Sequence, residues 1–318
     1  MKIYWYAASF VILLIITLIY QEKKNTSIRN KDYKIVNKYL VTNHDINKSD
    51  LPIIWIHMTY KENARWWESW GSRLTDRLNQ PYLHLSIKSI IDKCGGNFNI
   101  CIINDDSFGK LLPNWQIDLS RVSEPLRSKL VKLGKTKLLY EYGGIIIPPS
   151  FLCMKNLIDM YNRLTIYDKA FVGEVQKTSY NPTTNLLQIS DEIMGANRHN
   201  SVVKEYMIYL EHLASRDYTD ESIFTGVDSE WLSKKVNTHE LNKIEAPYLG
   251  VVDSNDNLVT LERFMDTKYI DFKNNILGVL LPANELLERT SYSWFARMSI
   301  RQALECNNNL GKLLLITR

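Results

Sequence analysis

The sequence predicts an α/β domain, on three observations. Short apolar runs that end in polar or acidic residues alternate with longer segments of helical period. Glycine pairs and prolines punctuate the boundaries between them. The composition is that of a packed globular protein, with 45% hydrophobic and 23% charged residues in a chain of 318. Runs of this kind alternating with helices argue for a largely parallel sheet.

Along the chain, the element after Leu51-Pro52 is Ile53-Ile54-Trp55-Ile56-His57, an apolar run too short for a helix and hence a buried strand. Trp66, Trp67 and Trp70 follow in a loop region, where they serve packing or stack on a sugar or base. Pro81 opens a helix through about Lys93, and Gly95-Gly96 stop it. Residues 98–104 form a second strand ending in Asp105-Asp106-Ser107. A helix starts at Ser123-Glu124-Pro125, holds Leu126, Leu130, Leu133 and Leu138 on an apolar face, and ends at Gly143-Gly144. Ile145-Ile146-Ile147 is a third strand, stopped by Pro148-Pro149. Strand-like runs recur at 170–175 and 192–196, and a helix covers 201–214.

The N-terminus reads differently. Residues 3–20 carry no charge, and 10–19 are almost purely aliphatic. At ~1.5 Å per residue this helix spans roughly 27 Å, about one hydrocarbon core. Tyr4, Trp5, Tyr6 and Tyr20 flank it as interfacial aromatics do, and no small-x-small cleavage site follows. The expectation is a transmembrane signal anchor at 1–22, a polar stalk at 23–50, a domain at 51–280 and a C-terminal segment at 281–318. Localisation is then single-pass membrane. Lys2 on one side and Lys23, Lys24, Arg29 and Lys31 on the other leave its orientation open. Asn25 and Asn47 head sequons that matter only on a lumenal or extracellular face.

Several function classes are excluded. A net charge of +4 is too small to argue for nucleic acid, and the basic residues between 121 and 137 are spread through an amphipathic helix. No P-loop, GxSxG, HExxH or GxGxxG pattern is present. Cys94, Cys101, Cys153 and Cys306 lack metal-site spacing and read as buried thiols, and Cys153 has only Lys155 nearby in sequence to activate it.

In a parallel sheet, ligands sit beyond the carboxyl ends of the strands. That rule gathers His57, Asp105, Asp106 and the residues after Ile147 at one cleft. Each also has a plain structural role, as a core histidine or a strand-end turn.

One segment adds more. Lys137-Leu-Leu-Tyr-Glu-Tyr-Gly-Gly-Ile-Ile-Ile147 resembles the "LLYxYGGxYxDxD" stretch of glycosyltransferases with a DXD sugar-binding motif. The groups it is most similar to are the yeast-type initiating mannosyltransferases and the capsular polysaccharide synthesis proteins. Residues 51–57 are similar to that family's opening strand, Met194-Gly195-Ala196-Asn197 with His199 to its "fxAxxxHP" segment, Thr225-Gly226 to its "TGP" and Ser293-Trp294 to its late "SW". The resemblance implies a GT-A fold, a Rossmann-like domain that binds a UDP- or GDP-linked sugar and transfers a hexose to a glycan or protein acceptor. It implies donor contacts at His57, Lys132, Lys135, Gly143, Gly144 and Ser150, and leaves Asp105 and Asp106 as the catalytic carboxylates.

The family's DXD carboxylates hold a divalent cation on the donor diphosphate. Here those positions are Pro148 and Ser150, the family's "DxxR" falls on Lys132 and Lys135, and Leu286-Leu287-Glu288 stands where a late histidine is expected. The expectation is no metal and no other cofactor. Two readings follow. Either sugar transfer runs with Lys132, Lys135 or Arg127 countering the diphosphate, or the domain is a pseudo-glycosyltransferase, a membrane-anchored structural or binding module.

Overall fold

A computed structural model describes residues 51–58, 80–177, 187–215 and 226–318. The expected anchor at 1–22, the stalk at 23–50 and Trp66, Trp67 and Trp70 lie outside these residues. Among the described residues no helix is long and apolar enough to cross a membrane.

The main sheet has six strands: β1 (Ile53–His57), β2 (Asn99–Ile103), β3 (Gly144–Ile146), β5 (Ala170–Gln176), β6 (Leu187–Ala196) and β7 (Leu241–Ile244), in the order β2-β1-β3-β6-β5-β7. β4 (Phe151–Cys153) and β8 (Gly278–Leu280) form a separate antiparallel pair. β1 runs parallel to both β2 and β3, and β7 parallel to β5. β6 runs antiparallel to β3 and β5, so five of the six strands share one direction and the sheet is largely parallel with one reversed strand. The reason is chain length. β5 reaches β6 through residues 177–186, fewer than the dozen or so that a parallel crossover requires.

β1 is apolar throughout because both faces of the sheet are covered. Ile54 and Ile56 enter one core, with Ile100 and Ile102 of β2 and with α1 (Leu83–Cys94). Ile53 and Trp55 enter the other, with Cys101 and Ile103 and the helices α3 (Leu126–Tyr142), α5 (Ser201–Ser215) and α6 (Val227–Asn237). The described residues also form the short helices α2 (Asp105–Leu111) after β2, α4 (Ile158–Leu164) after β4, and α7 (Leu261–Met265) after β7. The last stretch folds into α8 (Ala283–Glu288), α9 (Ser293–Ala296), α10 (Ile300–Glu305) and α11 (Asn309–Ile316). Its Leu286, Phe295, Ile300, Leu310 and Leu314 join the same core as Ile54.

On α3, Leu130, Leu133 and Leu138 are buried as their spacing predicts, while Leu126 at the first turn is 40% exposed. Gly143 and Gly144 then end the helix and start β3. Gly144 has φ +100°, and a Cβ there would stand 2.1 Å from the Ile53 carbonyl oxygen. No other residue lets β3 lie this close to β1 in that conformation. Trp55 ties the corner from below, its indole Nε1 donating to the Gly143 carbonyl at 2.9 Å.

Candidate functional site

The site builds from the carboxyl ends of β1 and β2. After Ile103 the chain turns into α2, capped by Asn104. The Asn104 side chain accepts from the Ser107 backbone N–H, and the Ser107 hydroxyl accepts from the Asn104 N–H. This reciprocal cap makes Asp105 and Asp106 the first residues of a helix, where negative charge is favoured, rather than part of a turn.

The Asp105 carboxylate is held on both oxygens. Oδ1 accepts from His57 Nε2 at 2.9 Å, and Oδ2 accepts from Arg127 in the first turn of α3. Arg127 also lies 3.7 Å from Glu124. The His57 ring stacks on Phe108, centroids 5.5 Å apart, and Phe108 packs against Trp115 at 5.3 Å. Phe108 fits because α3 carries Gly134 opposite it, where a Cβ would meet the ring at 2.9 Å.

Burial pushes the His57 pKa below its usual value, and the hydrogen bond that His57 donates to Asp105 only partly opposes this; the positive charges of Lys135 and Arg127 add to the lowering. For Asp105, burial acts to raise the pKa, but His57 and Arg127 outweigh it and hold the carboxyl below the usual range. At neutral pH the pair is therefore a neutral imidazole donating Nε2–H to an ionised carboxylate.

Further along the same edge stands a second charged group. The pairing of Ile146 with Met194 puts Asp191 just past the carboxyl end of β3. Lys132 bridges Asp191, at 3.2 Å, and Asp228 of α6. Tyr206 of α5 donates to Asp191 Oδ2 at 3.0 Å. Burial alone lowers a lysine pKa, but the two carboxylates overcome it and raise that of Lys132. Lys135, one turn further on, has no carboxylate within ion-pair distance among the described residues. Burial lowers its pKa, the Asp191 charge opposes this and Lys132 adds to it.

A cavity of 490 Å³ opens beside Asp105. Its lining includes Asp105, Asp106, Trp115, Asp118, Ser120 and Arg127. Of the residues expected at the site, Asp105 and Asp106 line this cavity and His57 supports Asp105. Lys132 and Lys135 lie along the same edge but outside the cavity, and Lys132 is engaged by two carboxylates. Gly143 and Gly144 stand at the amino end of β3, away from the carboxyl ends that form the site, and Gly144 pairs with Ala196. Ser150 is buried at the entry to β4, its carbonyl accepting from the Leu281 N–H. Trp115 and Asp118 were not singled out from sequence. They sit in the polar loop after Pro113-Asn114, which carries no motif.

The positions do not suit a divalent cation. Pro148 offers no ligand atom and Ser150 only a buried hydroxyl. Among the described residues no group of three or more His, Cys, Asp or Glu could hold a metal ion.

The sequence matches no family model and no curated protein. Solved structures similar to the chain include the glycosyltransferase GlyE of Streptococcus pneumoniae TIGR4, at 7% identity and a TM-score of 0.34, covering 63% of this chain and 46% of that one. The chain thus spans less than half the length of GlyE. A glycosyltransferase involved in glycosylation of the major capsid of PBCV-1 aligns at 8% identity and a TM-score of 0.34, over 64% and 86% of the two chains. Mouse xyloside xylosyltransferase 1 aligns at 8% and 0.35, over 62% and 86%. Likeness this slight assigns neither fold nor activity.

Proposed function

We propose that the chain is a glycosyltransferase-like protein that takes a UDP- or GDP-linked sugar at the cavity beside Asp105, without a bound metal ion. The observation that carries the proposal is the cavity itself. It lies beyond the carboxyl ends of β1 and β2, the place where sheets of this kind bind ligands. Its lining joins an indole face, for a base or sugar ring, to carboxylates that accept sugar hydroxyls. The ordered set of glycosyltransferase-like segments in the sequence points to the same ligand class.

The roles divide by geometry. Asp105 is held by His57 and Arg127 and so positions rather than transfers. Asp106 lines the cavity with no ion-pair partner among the described residues, and would take the proton of an acceptor hydroxyl as that oxygen attacks the anomeric carbon. The nucleoside diphosphate leaves with the bonding electrons, its charge met in part by Arg127, which shares its guanidinium with Asp105 and Glu124. The acceptor is a glycan or a protein, and residues 1–22 anchor the domain to a membrane.

A second reading has its own support. Neither DXD position carries a carboxylate and Lys132 is engaged within the fold, as a binding module without transfer would allow. The test is a thermal-shift titration of the full chain with UDP, GDP and their sugars, with and without Mn²⁺, followed by a transfer assay with whichever sugar binds. Ligand at a hundredfold excess over Kd stabilises the folded state by ~2.7 kcal/mol. A metal-independent shift supports the cavity as donor site, and transfer then separates enzyme from binding module. A shift that requires Mn²⁺ overturns the metal-free reading. No shift with any nucleotide overturns the donor site.

A further inference from the structure

Away from the cavity, two cysteines meet in the core. Cys94 is the last residue of α1, and Cys153 ends β4. Both are fully buried, and their sulfur atoms lie 3.8 Å apart. The remaining two thiols stand apart from this pair. Cys101 lies in the other core, on the opposite face of the sheet, and Cys306 is partly buried at the end of α10. The surroundings hold the pair in place. The Cys153 N–H donates to the Ser89 hydroxyl at 2.8 Å, and Ser89 in turn donates to the Ser86 carbonyl, so β4 is pinned to the helix that bears Cys94.

We infer that Cys94 and Cys153 form a disulfide when the protein meets an oxidising environment, and that this bond is a covalent clasp around the candidate site. A disulfide needs its sulfurs ~2.05 Å apart, and side-chain rotation at two facing residues can close the remaining gap without moving either element far. The bridged residues are 59 positions apart. The loop so closed contains β2, α2, α3 and β3, and with them Asp105, Trp115 and Arg127.

The chemistry balances with a reagent disulfide such as oxidised glutathione. Cys94 loses its proton and attacks one reagent sulfur, breaking the reagent S–S bond and releasing one thiol. Cys153 then loses its proton and attacks the Cys94 sulfur, forming the protein disulfide and releasing the second thiol. Two protein thiols are oxidised and one reagent disulfide is reduced. The hydrogen bond shared with Cys153 lowers the Cys94 pKa, which suits Cys94 as the first attacker. Cys94 itself is fully buried, so the reagent reaches it when the last turn of α1 opens beside the exposed Gly95-Gly96.

The experiment treats the full chain, purified under reducing conditions, with oxidised glutathione. Free thiols are then alkylated in denaturant and the peptides are mapped by mass spectrometry. The expected result is a linked pair of peptides holding Cys94 and Cys153, lighter by the two hydrogens lost, with Cys101 and Cys306 alkylated. Dithiothreitol should reverse the link and lower the melting temperature of the oxidised protein. Alkylated Cys94 and Cys153, glutathione adducts at either, or a link to Cys101 or Cys306 would overturn the inference. The Cys94→Ala variant should melt at one temperature in both redox states, and a redox-dependent shift there would also overturn it. Peptide mapping of the unmodified sequence decides the matter if that variant does not fold.

Discussion

Asp191→Ala tests whether the charged group around Lys132 holds the helical layer to the sheet. Asp191 has a side-chain exposure of 8%, lies 3.2 Å from the Lys132 ammonium, and accepts from the wholly buried Tyr206. Truncation removes one arm of a buried ion pair, a change that costs ~3–5 kcal/mol when the surviving charge is left bare. Lys132 retains Asp228, so the low end applies. The Tyr206 hydroxyl is left without its acceptor, at a further ~1–3 kcal/mol. The sum is about 4–6 kcal/mol, or a fall of roughly 10 °C in melting temperature for a domain of this size. Asp228→Ala, at a position 26% exposed, should cost about 1–2 kcal/mol. Thermal and urea denaturation followed by circular dichroism measure both.

The pH dependence has a definite sign. Burial acts to raise the Asp191 pKa, but Lys132, Lys135 and Tyr206 bring it below the ordinary value of 3.8. A carboxyl with a depressed folded-state pKa stabilises above its unfolded pKa, and that contribution is lost as pH falls through the folded value. The gap between Asp191→Ala and the unmodified protein should therefore close in acid. A loss under 1 kcal/mol at neutral pH, or a gap that persists in acid, refutes the clamp.

Other outcomes follow from the same geometry. Gly144→Ala should cost about 3 kcal/mol or more, because the methyl meets the Ile53 carbonyl at a positive φ; expression and melting temperature report it. His57 has a lowered folded-state pKa, so its contribution is present above the ordinary histidine value of 6.5 and lost as pH falls through the folded one. His57→Phe should remove that part of the acid dependence of the melting temperature. Asp106→Asn should cost no more than about 1 kcal/mol of stability, the favourable charge at the start of α2, and reduce any sugar transfer by ~10²–10⁴-fold in a transfer assay. Trp115→Ala should weaken nucleotide-sugar binding roughly tenfold in titration calorimetry, about what a lost aromatic contact contributes.

Much of the fold is legible in the sequence because its elements are strongly punctuated. Pro81 and Gly95-Gly96 bracket α1, and Pro125 and Gly143 bracket α3. The apolar β1 run shows burial on both faces. The direction of β6 is harder to read, because its apolar residues suit either orientation and only the short link from β5 decides. β4 and β8 have three residues each, and each depends on a partner more than a hundred positions away rather than on any local period.

At the site, Asp105 and His57 were placed together by the rule for strand ends. The partnership of Asp105 with Arg127 depends on how α3 crosses the sheet, which no local pattern encodes. Lys132 shows the complementary difficulty. Its counter-charges come from β6 and α6, so a lysine that reads as available for a diphosphate is already held by Asp191 and Asp228.

The pairing of β4 with β8 also bears on how the protein is made. Phe151, Leu152 and Cys153 form their ladder only with residues 278–280, and that core is completed only by side chains as late as Leu314. At a synthesis rate of roughly 5–20 residues per second, β4 waits on the order of ten seconds for its partner strand to be made. Through that interval the nascent chain carries an apolar surface that residues between 278 and 314 later cover. This half of the molecule thus assembles only once the chain as far as Leu314 has been made, and during that wait a chaperone would find its binding surface here.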